Sequence, residues 1–280
     1  MTHPSFVSCQ IGDFEVTALS DGYMTASLDL LSGIDSADAS ALQYAAGIAE
    51  PDSLHIQCYL IRGRGRTMLV DAGTGGLGDI GGLMRDNLRT LGVRPEDIDT
   101  VLLTHGHPDH LGGLLDAGGR PVFTHARLLV HPLEVEYWQD DGMMARVTER
   151  RQRNFVLARR TFTAYASQLN FLEENNAVAG VTPLWLPGHT PGHTGFRIDG
   201  DGGSLIIWGD IVHFPHIQSA KPGVSIEFDC HPRQAEETRK KIMAQASQQK
   251  WRIAGMHLGK PGFAHLIAQA EGYQLVYVED

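Results

Sequence analysis

The chain has 280 residues, 42% of them hydrophobic and 20% charged, which is enough apolar material for a substantial core and excludes disordered and fibrous classes. Its formal net charge is −10, and no stretch of bases outweighs the acids around it, so a nucleic-acid partner, whose phosphates would be repelled, is not expected. No run of about 18 apolar residues offers a bilayer span, and residues 1–12 carry neither the basic start nor the apolar centre of a secretory leader; the expectation is a soluble, cytoplasmic protein with no membrane partner.

In chain order, residues 14–19 alternate apolar and polar side chains ahead of Asp21-Gly22, the period of a half-buried strand. Segment 29–51, polar and rich in alanine, reads as a lid or the arm of a homodimer. Residues 55–61 and 67–70 flank Arg62-Gly63-Arg64-Gly65 as two strands of a meander that ends at Asp71-Ala72-Gly73. Ile80, Leu83, Met84, Leu88 and Leu91 give 79–91 a helical face, 95–97 forms a further short turn, and 100–103 is a short apolar strand. Residues 122–130 read as β-rich. Across 149–172 one helical face holds Phe155, Ala158, Phe162, Tyr165, Ala166 and Leu169, with Arg150, Arg151, Arg153, Arg159 and Arg160 largely on the solvated one.

Strands follow at 181–186, 195–198, 204–208 and 251–254, with a helix over 232–249 between the last two whose Pro232 suits a first turn. Strands, helix, strands, helix is an α+β pattern of the αββα kind rather than a strictly alternating parallel one. Without a repeat, low-complexity tract or linker, residues 1–280 read as a single domain. Cys9, Cys58 and Cys230 are too few and too scattered for a disulfide framework.

Histidine, at 14 residues, marks where function resides. The apolar strand 101–103 runs into Thr104-His105-Gly106-His107-Pro108-Asp109-His110, four potential ligands within six residues. His105 and His107 share a face of an extended segment, and Pro108 turns the chain before Asp109 and His110. Imidazole and carboxylate without a nearby thiolate suit Zn, Mn, Fe or Co rather than a structural cysteine site. His189, Asp210 and His257 repeat the pattern, each following an apolar run, with glycine immediately before His189 and Asp210 and two residues before His257.

This order, His-x-His-x-Asp-His, then Gly-His, Gly-Asp and a final His, resembles the metallo-β-lactamase-fold hydrolases from about Phe14 onward. The resemblance implies an αββα sandwich with the ligands on loops at one edge of two sheets. It further implies two divalent metal ions, one on His105, His107 and His189, the second on Asp109, His110 and His257, with Asp210 bridging them. Leu19-Ser-Asp-Gly22, the segment Leu186–Thr194, Trp208-Gly-Asp-Ile-Val-His213 and 257–262 with His265 resemble the methyl parathion hydrolase and lactonase branch. True zinc β-lactamases lack the bridging Asp, so Asp210 argues against β-lactam hydrolysis.

Two cations sharing a water lower its pKa and polarise the bond attacked, so a metal-bridging hydroxide is expected to open a lactone, aryl ester or phosphotriester. Asp109 and Asp210 are the catalytic candidates, Asp109 as ligand and possible proton shuttle. Asp71, Thr190 and His193 are candidates for hydrogen bonds that orient the ligand imidazoles. Trp138, His213, Phe214, Phe228, Phe263 and His265, near ligands or motif segments in the chain, are candidates for the wall of a pocket taking a small, neutral, apolar substrate. The alternative on the same fold is an iron-dependent sulfur dioxygenase, which would hold a single iron. No Gly-x-Ser-x-Gly elbow or Walker loop supports a serine hydrolase or an NTPase.

Overall fold

The computed structural model describes residues 6–172 and 178–278. Its first part runs β1 (Ser8–Ile11), β2 (Phe14–Thr25), β3 (Leu31–Ser32), α1 (Ser36–Ala45), β4 (Ser53–Gly63), β5 (Arg66–Val70), α2 (Met84–Thr90), β6 (Thr100–Leu102), α3 (Pro108–Leu111) and β7 (Arg127–Val130). Helices α4 (Pro132–Gln139), α5 (Asp141–Arg146) and α6 (Glu149–Ala164) lead to β8 (Leu169–Phe171). Then come β9 (Val181–Trp185), β10 (Thr194–Gly200), β11 (Gly203–Ile207), α7 (Pro215–Ala220), β12 (Ser225–Ile226), α8 (Pro232–Gln248), β13 (Arg252–Ala254), β14 (Ala264–Ala268) and β15 (Tyr273–Tyr277).

A seven-stranded sheet is ordered β1-β2-β4-β5-β6-β7-β8 and a six-stranded sheet β15-β14-β13-β11-β10-β9. Period-2 alternation decides the layers. Tyr59, Ile61, Met68, Val70 and Leu102 of the first sheet meet Phe196, Ile198, Leu205, Ile207 and Ala254 of the second in one buried cluster. The residues between them face outward: Leu60, Leu69 and Val101 pack on Met84 and Leu88 of α2 and on Phe155, Ala158 and Phe162 of α6. On the other side Ile206 and Ile253 pack on Ile242, Met243 and Ala246 of α8. Both sheets are thus covered on both faces, which is why these strands are apolar throughout, and the result is the expected αββα sandwich.

Strand β5 pairs β6 in parallel, as β11 does β13, so the carboxyl ends of all four lie at one edge of the sandwich. A register shift in β2 between Ser20 and Gly22 turns the Asp21 carboxylate toward this edge, where it accepts from the Thr74 N–H at 2.9 Å and caps α2 through the Met84 N–H at 2.9 Å.

Several expected elements are corrected. The helix read over 79–91 begins only at Met84, because Gly76, Gly78, Asp79, Gly81 and Gly82 all take positive φ. Within 122–130 the strand is confined to Arg127–Val130, the preceding residues forming a turn whose carbonyls at Phe123, Thr124 and Ala126 accept from the Gln168 amide. The helical face read over 149–172 breaks after Ala164, since Tyr165 turns inward to bridge Phe123 N–H and Leu114 C=O, and Leu169 opens β8 instead. In segment 29–51, α1 packs beside α7, Leu31 and Ala39 join Phe214, Ile217 and Val224 in a buried cluster, and Leu30 reaches the cavity described below. Among the described residues no helix is long and apolar enough to cross a membrane.

The buried Tyr165 hydroxyl serves two backbone groups at 3.0 and 3.1 Å; the Leu114 carbonyl also accepts the Val122 N–H at 2.9 Å, so Tyr165→Phe orphans the Phe123 N–H. The expected cost is about 1–3 kcal/mol, read as a lower urea midpoint at unchanged slope.

Candidate metal centre

Each expected ligand leaves the end of a strand at the shared edge. His105 and His107 follow β6, and Pro108 at the first turn of α3 places Asp109 and His110 one turn on. His189 lies in the β9–β10 connection, Asp210 in the turn after β11, and His257 just beyond β13. Gly188 and Gly209, with φ of +129° and +61°, let the chain turn against neighbouring backbone and His193 respectively.

The structure brings the seven residues together as two sets. In the first, His105 Nε2 and His107 Nδ1 are 2.9 Å apart, His107 Nδ1 and His189 Nε2 2.9 Å, and His189 Nε2 and His105 Nε2 3.1 Å. Three ring nitrogens at such spacing cannot satisfy one another, and the triangle matches a cation bound at about 2.0–2.1 Å from each. In the second set, Asp210 Oδ2 lies 3.1 Å from His110 Nε2 and 3.3 Å from His257 Nε2, with Asp109 Oδ2 3.5 and 3.6 Å from the same two nitrogens. Asp210 Oδ2 also stands 3.6 Å from His189 Nε2 and 3.8 Å from His105 Nε2, between the sets, while its Oδ1 is buried without a hydrogen-bond partner. An orphaned buried carboxylate oxygen amid converging imidazoles fits a pair of divalent cations, and the donor set suits Zn, Mn, Fe or Co without choosing among them.

Charge is partitioned within this cluster. Burial, together with neighbouring imidazoles, holds His105 and His107 well below the usual histidine range, so their lone pairs are free. Burial works against the charged form of His110 as well, yet Asp210, Asp109 and Asp71 outweigh it and raise that group well above its ordinary value. For Asp210 burial is likewise overcome, by His110, His257 and His213, leaving it ionised.

Hydrogen bonds from behind fix the tautomers. Asp71 Oδ2 accepts from His110 Nδ1 at 2.7 Å, as the sequence suggested, and from the Thr104 hydroxyl at 2.6 Å, which in turn takes the His105 Nδ1–H at 3.1 Å. Asp71 does this from a left-handed backbone, φ +57°. His257 Nδ1 donates to the His55 carbonyl at 2.8 Å. The partner of His189 is neither Thr190 nor His193 but Asp229, whose Oδ1 accepts from Nδ1 at 3.0 Å. His193, pushed down to about 3 by burial and hence neutral, donates from Nδ1 to Leu186 C=O and accepts the Asp210 N–H on Nε2 at 2.9 Å, so it orients Asp210. Thr190 donates at 2.6 Å to Glu134, which sequence reasoning missed.

The centre opens into a cavity of about 350 Å³ lined by Met24, Leu30, Leu54, Leu77, Ile80, Tyr137, Trp138, Asn154 and Phe228, among others. Of the residues proposed for a pocket wall, Trp138, His213 and Phe228 line this cavity. Phe214 and Phe263 are not: both are fully buried in core clusters, Phe263 against Tyr59. His265, on β14, binds the Trp251 carbonyl away from the cavity. Arg150 and Arg151, read as solvated helix surface, stand at the cavity wall, Arg151 held by the Glu227 carbonyl. Removing the Asp229 carboxylate charge, as in Asp229→Asn, is expected to weaken metal retention about 10- to 100-fold, measured by competition with a chromogenic chelator.

Comparison with known proteins agrees with this geometry. The hydrolase AbOPH of the beta lactamase superfamily superposes with a TM-score of 0.91 at 29% identity, covering 100% of this chain and 99% of that one. AidC, a dizinc quorum-quenching lactonase solved with a product, superposes at 0.92 over 99% and 98% of the two chains; at 24% identity that likeness concerns the fold alone. An N-acyl homoserine lactonase of Bacillus cereus is 25% identical over 120 residues, 43% of this chain and 40% of the relative. The probable metallo-hydrolase YflN of Bacillus subtilis (strain 168) is 28% identical over 128 residues, 41% and 45%. The chain thus matches less than half the length of these two relatives. The family model described as the metallo-beta-lactamase superfamily matches residues 52–257, and the chain belongs to that superfamily.

Proposed function

We propose that this protein is a hydrolase that holds two divalent metal ions, zinc being the reading we favour, and opens a neutral lactone or aryl ester, with phosphotriesters within reach of the same chemistry. The observation that carries the reading is Asp210 Oδ2 standing 3.1–3.8 Å from imidazoles of both ligand sets, at the floor of a cavity with an apolar wall. His105, His107 and His189 would hold one ion, Asp109, His110 and His257 the other, and Asp210 both. When bound, such a pair lowers the pKa of a water and polarises the C=O or P=O under attack.

The chain's own groups do the rest. Met24, Leu30, Leu54 and Phe228 shed water from an apolar substituent, favouring a neutral substrate over a charged one. His213, buried on the cavity side with neither ring nitrogen hydrogen-bonded, presents Nε2 3.3 Å from Asp210 Oδ2 and is placed to donate to the substrate's carbonyl or leaving oxygen. Asp109, half-buried at the cavity, is held ionised by His110 against its burial and can accept the proton of the attacking water and pass it to the leaving alkoxide as the C–O bond breaks. The relatives reported above carry hydrolase and lactonase names and none an oxygenase name, so the iron dioxygenase alternative draws nothing from them.

Protein with its metals counted is expected to turn over at least one of an acyl-homoserine lactone, dihydrocoumarin, an aryl acetate or methyl parathion, with no oxygen uptake on glutathione persulfide. Asp210→Ala is expected to lose metal and all measurable turnover. His213→Ala is expected to lower kcat about a hundredfold while keeping the metal count; a lowered count would make His213 a ligand instead.

A further inference from the structure

Three buried carboxylates stand behind the ligand cluster, and one of them touches no imidazole. Asp71 and Asp229 each bind a ligand ring directly. Glu134, on α4 and fully buried, directs three of its four hydrogen bonds to the loops that carry the ligands. Its Oε1 accepts the Gly106 N–H at 2.8 Å and the Trp138 indole N–H at 2.6 Å. Its Oε2 accepts the Thr190 hydroxyl at 2.6 Å and the Gly192 N–H at 3.1 Å. Gly106 sits between His105 and His107, and Thr190 follows His189, so three of the four bonds tie together the two segments that supply the three-imidazole set, and the fourth holds Trp138 of the same helix.

The arrangement is specific to an ionised carboxylate. Four donors converge on two oxygens, and a carboxylate is acceptor-only, with lone pairs for all four. A glutamine would turn an NH2 toward two of these donors. The fit is also close: a Cβ at Gly106 would run into the Trp138 indole nitrogen, and one at Gly192 into the Glu134 amide, so both loops are pressed against α4. The other set receives nothing from α4, its rings being held by Asp71 and by the His55 carbonyl. No cation is hydrogen-bonded to Glu134 in the described residues; burial pushes its carboxyl up, and its hydrogen-bond donors, with His189 nearby, oppose that shift. A buried carboxylate so close to the ligand loops favours a cation at the neighbouring imidazoles.

We propose that Glu134 is a positioning residue that selectively sets the metal affinity of the His105–His107–His189 half of the centre, leaving the Asp109–His110–His257 half to other supports. This rests on the two-metal reading given under Proposed function. The test is stepwise metal release, with Zn2+ as the probe, from purified wild type and Glu134→Gln under graded chelator, alongside the thermal midpoint of each metal-free form. The expected result is that wild type holds two equivalents and that Glu134→Gln sheds one of them at a chelator concentration at least about tenfold lower, the other being unchanged. In a His257→Ala background, where the carboxylate half is impaired, Glu134→Gln is expected to shed the equivalent that remains.

Thr190→Val removes a single donor and is expected to shift the same equivalent by a smaller factor; it decides the matter alone if Glu134→Gln does not fold. Release of both equivalents together, or of neither, overturns the proposal and leaves the two-metal reading standing, since a merely structural role would lower the metal-free midpoint without choosing between sites. Wild type holding no second equivalent would overturn that reading and this proposal with it.

Discussion

Imidazoles and carboxylates are costly to remove from water unless each finds a partner, and this protein buries His105, His110, His189, His213, His257 and Asp210 side by side at one edge of its sandwich. Nearly everything else at that edge answers this constraint. His105, His110, His189 and His257 each present one nitrogen to the cluster because the other is engaged by Thr104, Asp71, Asp229 and the His55 carbonyl respectively. The Asp210 main chain is held by His193, and its side chain is kept ionised by the surrounding imidazoles in spite of burial. What protein groups leave unsatisfied, above all Asp210 Oδ1 and the triangle of lone pairs on His105, His107 and His189, is what divalent cations would satisfy.

The fold makes this affordable through the direction of its strands. Parallel pairing of β5 with β6 and of β11 with β13 sends four strand ends to one edge, where loops from both sheets meet over the inter-sheet core. Those strands are buried on both faces, so their ends are rigid platforms, and the ligand loops are short. Rigidity is completed by side chains reaching across long chain separations, as when Asp21 caps α2 and Glu134 ties the two histidine loops. A cavity lined by Leu30, Leu54, Trp138 and Phe228 then selects what can approach the centre.

The layered fold and the residues of the histidine–aspartate cluster were legible in the sequence because both depend on local pattern. Runs such as 100–103 and 204–208 end at a histidine or an aspartate, and four ligands fall within His105–His110, so spacing alone places them on one loop. Asp71 was legible for the same reason, as a strand-terminal residue ahead of a glycine. Asp229 and Glu134 were not, since their partners lie 40 and 56 residues away and nothing in the eight residues of α4 marks an inward carboxylate. Nearness in sequence also misled: Phe214 and Phe263 follow motif segments, but a single step along an extended chain turns a side chain to the opposite face, and both entered the core. Tyr165 ended a helix that periodicity would have continued, because its hydroxyl is needed by backbone groups more than 40 residues away.

The central claim, that the buried cluster is a two-ion centre organised about Asp210, is tested most directly by anomalous X-ray scattering at the absorption edge of the metal found in the purified protein. The account predicts two peaks, one among His105, His107 and His189 and the other among Asp109, His110 and His257, with Asp210 contacting both. A single peak held by His189, Asp210 and His213, or no peak in the cluster at all, would contradict it.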